Sequence, residues 1–349
     1  MMKLSKMKYL FILVLSLVLV LAACGSSEQQ SSNSNANSNN DSNNNSEQNS
    51  ESQREIQGVT DDEILIGHIG PQTGATAIYD LVRKGIDSYF NYVNENGGVN
   101  GRQLKLIAYD DQYQPAQAVQ AAKRLVEEDK VYAMLGNVGA TSVNAYQDYL
   151  IEKEIPLVFM SAAAISFFEE PIDVFLGSGL MNYRLEALVY LDYAINELNG
   201  KKLAIAHQND DFGNEGYIAV KEAIGNYDGV EIVSEVTFLP SDTEFSSQSQ
   251  QLNDAKPDVI FYFGSPNPAA NLKKELYKTN LANTPFIVSS VANDNNLFEL
   301  AGKEVWEGTY SGAVFQNIDL VKDEDEQVQL FVERFSSDYP NDPLSGFAQ

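Results

Sequence analysis

Short β-branched runs alternate with longer helical stretches from about residue 64 onward, and this alternation restricts the chain to βαβ units built around parallel sheets. The first strand is expected at Ile64–Ile69, followed by a helix near Val82–Asn94 and a strand at Leu104–Tyr109. Pro115 suits a first helical turn, so a helix is predicted from there to Glu128. The series continues with a strand at Val131–Leu135, a helix at Val143–Lys153 and a strand at Pro156–Phe159. Together these make one doubly wound lobe.

The segment Val174–Gly179, with two glycines, suits a chain passing to a second lobe of the same logic. That lobe would hold strands at Lys202–Ala206, Val230–Phe238, Val259–Phe263 and Phe286–Val288. Helices near Leu185–Leu198, Glu215–Ile224, Phe245–Ala255 and Ala269–Lys278 would lie between them. A return crossing is expected at Gly308–Phe315, then a helix at Asp325–Tyr339 that rejoins the first lobe. The predicted fold is therefore α/β, with two doubly wound Rossmann-like lobes joined by crossover strands. Its divisions are residues 59–176 (lobe one), 177–312 (lobe two) and 313–349 (a return into lobe one, expected to be truncated at Gln349).

Ahead of this body stand two segments of different character. Lys3, Lys6 and Lys8 precede an apolar run from Tyr9 to Ala23, shorter than the ~20 residues of a spanning helix and suited to a signal peptide over residues 1–23. It ends in Leu21-Ala22-Ala23-Cys24, which resembles the lipobox of bacterial lipoproteins and implies acylation of Cys24 and an anchor on the extracytoplasmic face of the cell membrane. Cys24 is the single cysteine, so an intramolecular disulfide is excluded. Residues 24–58 are rich in Ser, Asn, Gln and Glu and are expected to form a disordered tether.

The whole chain carries a formal charge of −26. Removing the three lysines of the signal peptide leaves 20 basic residues against 49 acidic ones, a charge of −29, which excludes nucleic acid as a partner. An enzyme is not expected. Only two histidines are present, His68 within a strand and His207 at a strand end, neither with metal-ligand spacing. No GxSxG, P-loop or GxGxxG occurs. The acidic run Asp323–Glu326 reads as a solvated helix start, and no cofactor or metal is expected.

Several segments, in order, resemble the type I periplasmic binding proteins of the leucine/isoleucine/valine-binding family, the solute receptors of ABC importers. They are Ile66-Gly67 through Pro71-Gln72-Thr73-Gly74, NENGGVNGR from Asn94 to Arg102, Tyr109-Asp110-Asp111 before Pro115, and GNVG at Gly136–Gly139. Ile155-Pro156-Leu157 and QNDDFGNEGY from Gln208 to Tyr217 complete the set. Taken alone, GGVNGR is a glycine-permitted turn and Asp110-Asp111 looks like a cap for the helix at Pro115.

The resemblance implies a small carboxylate-bearing ligand held between two lobes, delivery to ABC permease and ATPase subunits, and a monomer. The same fold can instead regulate a signalling partner without transport. Open α/β sheets bind at the carboxyl ends of their strands, which here places candidate ligand contacts at Thr73, Gly74, Gly139, Ala140, Thr141, Ser142, Ala162, Ala163, Ser265, Ser290 and Asp294. The glycines and hydroxyls at 136–142 would cradle a carboxylate at a helix N-terminus, or Thr141 or Ser142 would simply cap that helix. By resemblance Tyr79 and Phe212 are the aromatic walls, while the family's amino-acid anchors fall on Ala140, Ala163 and Ser290. An organic acid with an apolar or aromatic body is therefore expected in preference to a free amino acid.

Overall fold

A computed structural model describes residues 56–314 and 317–349. The signal peptide, Cys24 and nearly all of the expected tether lie outside the described residues. Among those residues no helix is long and apolar enough to cross a membrane.

Two five-stranded parallel sheets organise the described residues. The first contains β1 (Glu63–Gly70), β2 (Gln103–Asp110), β3 (Ala133–Leu135), β4 (Leu157–Met160) and β5 (Phe175–Ser178), in the order β2-β1-β3-β4-β5. The second contains β6 (Lys202–Gln208), β7 (Glu231–Phe238), β8 (Val259–Phe263), β9 (Phe286–Val288) and β10 (Tyr310–Ser311), in the order β10-β9-β8-β6-β7. Read from its other edge, the second sheet repeats the topology of the first. In both, strand order reverses beside the first strand of the set, where a doubly wound sheet opens a crevice. The two predicted crossing segments contribute β5 and β10, one at an edge of each sheet. Helices on both faces account for the unbroken burial of β8, Val-Ile-Phe-Tyr-Phe.

Local sequence explains most element boundaries. Helix α1 (Asp80–Glu95) begins on an acidic residue that favours the positive end of the helix dipole, and it ends where Gly97 and Gly98 take φ of +98° and +69°. Gln114 is extended, as the residue before Pro115 should be, and α2 runs over Pro115–Glu127. Here the Asp110-Asp111 expectation is corrected. No side chain caps α2: Asp110 accepts from the Gln72 and Gln112 amides, and Asp111 accepts from the Tyr113 amide, so both carboxylates shape the loop instead.

The remaining lobe-one helix at the sheet ends is α3 (Ala140–Lys153), and lobe two carries α4 (Tyr183–Asn196), α5 (Asp211–Ala223), α6 (Ser246–Ala255) and α7 (Pro266–Tyr277). Short helices α8 (Asn296–Ala301), α9 (Lys303–Trp306) and α10 (Ile318–Val321) precede α11 (Glu326–Asp338). Asp325 caps α11 through the Gln327 and Val328 amides, which makes the acidic run a helix start as expected. The return to lobe one is tied by Ser88 donating to Asp338 (2.8 Å), Lys84 to Asp342 (2.6 Å) and a bidentate Arg334–Glu95 pair at 2.7 and 2.9 Å. Both histidines are buried: the His68 ring lies 3.0 Å from the Leu135 carbonyl, and His207 stacks on Tyr217 beside Glu235.

Candidate functional site

Loops from the carboxyl ends of both sheets converge on one cavity of about 50 Å³. Lobe one supplies Tyr79 after β1, Tyr113 after β2, Val138 and Gly139 after β3, and Ser161 after β4; lobe two supplies Phe212 after β6 and Val291 after β9. Tyr183, at the start of α4, and Phe347, near the C-terminus, complete the aromatic lining.

Phe212 is held by the start of its helix. The Asp210 carboxylate accepts the amides of Phe212 (3.1 Å) and Gly213 (3.0 Å) and the side-chain amide of Gln208. Gly213 is required because a Cβ there would stand 2.1 Å from the Gln208 carbonyl oxygen. So placed, the Phe212 ring packs into the core of lobe one, 4.6 Å from Tyr183. Tyr79 meets Phe347 edge-on at 5.3 Å.

Tyr113 occupies a costly backbone position. Gln112 and Tyr113 both take left-handed φ, 49° and 59°, a conformation disfavoured for residues bearing Cβ. The loop is held there by hydrogen bonds, because Asp111 accepts from the Tyr113 amide (2.9 Å) and from the Ser142 hydroxyl (2.7 Å). The ring lies against Gly139, where an added Cβ would meet it at 2.7 Å. Strand-end logic extended to β2 would have pointed to this tyrosine from sequence. Tyr183 and Phe347 carry no such local signal.

Burial dominates the electrostatics. It pushes the phenols of Tyr79, Tyr113 and Tyr183 above their ordinary range, so all three stay protonated and can donate. Burial also raises Asp111 and Asp210, opposed by the donors each accepts. At Asp110 desolvation pulls upward, but the Thr73 hydroxyl at 2.5 Å and nearby amides outweigh it and hold the carboxyl below its usual range. Among the described residues no Lys, Arg, Asp or Glu lines the cavity.

The candidate residues therefore divide. Tyr79, Gly139 and Phe212 meet in the cavity, whereas Ser290 and Asp294 line a second one of about 70 Å³ nearer the return segment. Ala140, Ala162 and Ala163 are buried, and Ser142 is turned inward to satisfy Asp111. Gly139 occupies the cap position of α3 at φ 95° with no side-chain cap bond, so neither Thr141 nor Ser142 caps that helix. Thr73 serves Asp110 and Gly74 forms the turn behind it, with Ala77 bonded to its carbonyl. Ser265 donates through both amide and hydroxyl to Gln208. The Ser290 amide is given to Glu186 at 2.7 Å, and Asp294 accepts from Ser345 and the Asn296 amide. Thr141 lies at the interface with lobe two, 3.3 Å from the Asp211 amide.

Comparison with known proteins agrees with this architecture. An amino acid binding protein of Pseudomonas aeruginosa is 29% identical over 210 residues, 60% of this chain and 55% of the relative, so the match spans little more than half of that protein. The branched-chain amino acid transporter substrate binding protein LivJ of Streptococcus pneumoniae, solved with isoleucine, superposes with a TM-score of 0.71 at 21% identity. That superposition covers 82% of this chain and 80% of the other. A solute binding protein of an ABC transporter from R. palustris, solved with benzoate, also gives 0.71 at 21% identity, covering 82% and 76%. Fold and family are those of substrate-binding proteins rather than enzymes. Residues 63–349 match the periplasmic binding protein family over more than half of the chain, and the chain belongs to that family.

Proposed function

We propose that this chain is the extracytoplasmic solute-binding subunit of an ABC importer, anchored by lipid on Cys24, which takes up a small ligand between its lobes and presents it to permease and ATPase subunits as a monomer. The observation that carries the reading is the convergence of Tyr79 and Tyr113 from lobe one with Phe212 from lobe two on a single cavity at the strand ends. A ligand touching both lobes there stabilises their closed arrangement over an open one, the difference a permease can read.

The ligand proposed is a carboxylic acid with an apolar or aromatic body. Five aromatic rings offer apolar walls, and the carboxylate would lie toward Gly139 and the N-terminus of α3, within reach of phenol and Ser161 hydroxyl donors. An ammonium is less well served, because the neighbouring carboxylates Asp210, Glu186 and Asp294 already accept donors of their own. An unpaired buried ammonium costs several kcal/mol, more than the roughly 1.5–3 kcal/mol from burying a leucine-sized side chain. A fold shared with receptors holding isoleucine in one case and benzoate in another accommodates either class, so the choice rests on this cavity.

Calorimetric titration with leucine, phenylalanine and their deaminated acids tests the reading. The acids should bind and raise the melting temperature, and Phe212→Ala should abolish both effects. Tight leucine binding would place the ammonium site wrongly, and failure of every compound to bind would remove the ligand class.

A further inference from the structure

Away from the cavity, the two lobes touch through a compact polar contact. Asn144, in the second turn of α3, donates from Nδ2 to Oδ2 of Asp211 at the start of α5, 2.9 Å across the cleft. The amide is oriented from within its own lobe: its Oδ1 accepts from Gln147 Nε2 (3.4 Å) and Ser166 Oγ (3.3 Å), which leaves the NH2 group to face lobe two. Asp211 is engaged a second time, since its backbone N–H donates to Thr141 Oγ1 at 3.3 Å. A separate bond joins Asn267 Nδ2, in the first turn of α7, to the Ala75 carbonyl at 3.0 Å. Asn144, Thr141 and Asp211 do not line the cavity.

From this geometry we infer that Asn144 and Asp211 form a latch that sets ligand affinity by stabilising the closed lobes, without touching the ligand. The inference rests on the two-lobed receptor reading above. Both ends of the contact are prebuilt. The Asn144 amide pays little orientational entropy on closing because Gln147 and Ser166 already hold it, and the acceptor is a charged carboxylate, which strengthens the bond. A ligand's apparent affinity scales with the fraction of protein in the binding-competent state, so loss of the latch weakens every ligand by the same factor. A specificity residue would instead change their ranking.

Hydrogen exchange at the Asp211 amide of the full chain, measured with no ligand added, provides the test. That amide bonds to the opposite lobe, and Asn144→Ala leaves both it and Thr141 intact, so faster exchange there reports opening. Asn144→Ala and Asp211→Ala should each accelerate exchange at position 211 by roughly tenfold, the effect of one charge-assisted hydrogen bond. Strands β1, β6 and β8 should exchange at the wild-type rate. Asp211→Asn, which keeps a carbonyl acceptor for Asn144, should fall between wild type and Asp211→Ala. Wild-type exchange at 211 in both alanine variants, or equal acceleration in the core strands, overturns the latch. Its failure is distinguishable from failure of the receptor reading, because a chain that binds none of the four titrants still returns an exchange result.

Discussion

Replacing Lys273 with methionine should stabilise the protein. Lys273 lies on α7 and is only 4% exposed, between the buried Leu272 and Leu276. Its ammonium sits 5.1 Å from the centre of the Phe286 ring and makes no ion pair among the described residues. Burial lowers its pKa from 10.5 to about 8, so the folded protein disfavours the charge that the unfolded chain carries freely. A shift of that size is worth about 3 kcal/mol, since each pH unit is worth about 1.4 kcal/mol. Below pH 8 both states are protonated and the whole penalty is felt. Between pH 8 and 10.5 the folded state loses its proton first, the unfolded state binds more protons, and stability rises with pH. Methionine keeps the length and apolar stem and removes the charge. The lost ring contact, about 0.5–2 kcal/mol, subtracts from the gain, leaving a net increase of about 1–3 kcal/mol at pH 7. Denaturant unfolding of wild type and Lys273→Met at pH 7 and pH 10 reads this directly. The advantage of the variant should shrink by about 2 kcal/mol over that interval. A variant less stable at pH 7, or an advantage that does not change with pH, would refute the reasoning.

Two further expectations concern acid stability and anchoring. Burial lowers the pKa of His68 from 6.5 to about 4, against the opposing hydrogen bond to Leu135, so the unfolded chain takes up a proton between those values that the folded state refuses. Stability should fall by up to about 3 kcal/mol as pH drops from 6.5 to 4; an NMR titration of the ring with a midpoint near 6.5 would show otherwise. Cys24→Ala should abolish incorporation of a labelled fatty acid in cells, since acylation needs that thiol, and label retained in the variant would refute lipidation.

Sequence alone determined the repeated βαβ order, because its signals are local. Apolar runs such as Val259–Phe263 can only be buried strands or helix cores, Pro115 marks a first helical turn, and the glycines at 97 and 98 supply the left-handed residues that end α1. Strand ends also located Gly139, since a parallel sheet presents those loops on one edge, while Tyr79 and Phe212 were indicated by the family resemblance; all three line the cavity. What lies between the loops was decided only by the tertiary structure. Whether Ser142 faces ligand or core depends on Asp111, 31 residues away. Asp294 is occupied because Ser345 returns from the far end of the chain. Tyr113 enters the cavity through two left-handed residues that no propensity favours, at a position where the Tyr113 amide bonds to Asp111 within the loop and the Ser142 hydroxyl, from a distant helix, holds Asp111 in place. Periodicity records which face of each element is apolar. Hydrogen-bond partners separated by tens or hundreds of residues exist only once both sheets have formed and the chain has returned, so they leave no periodic trace in the sequence.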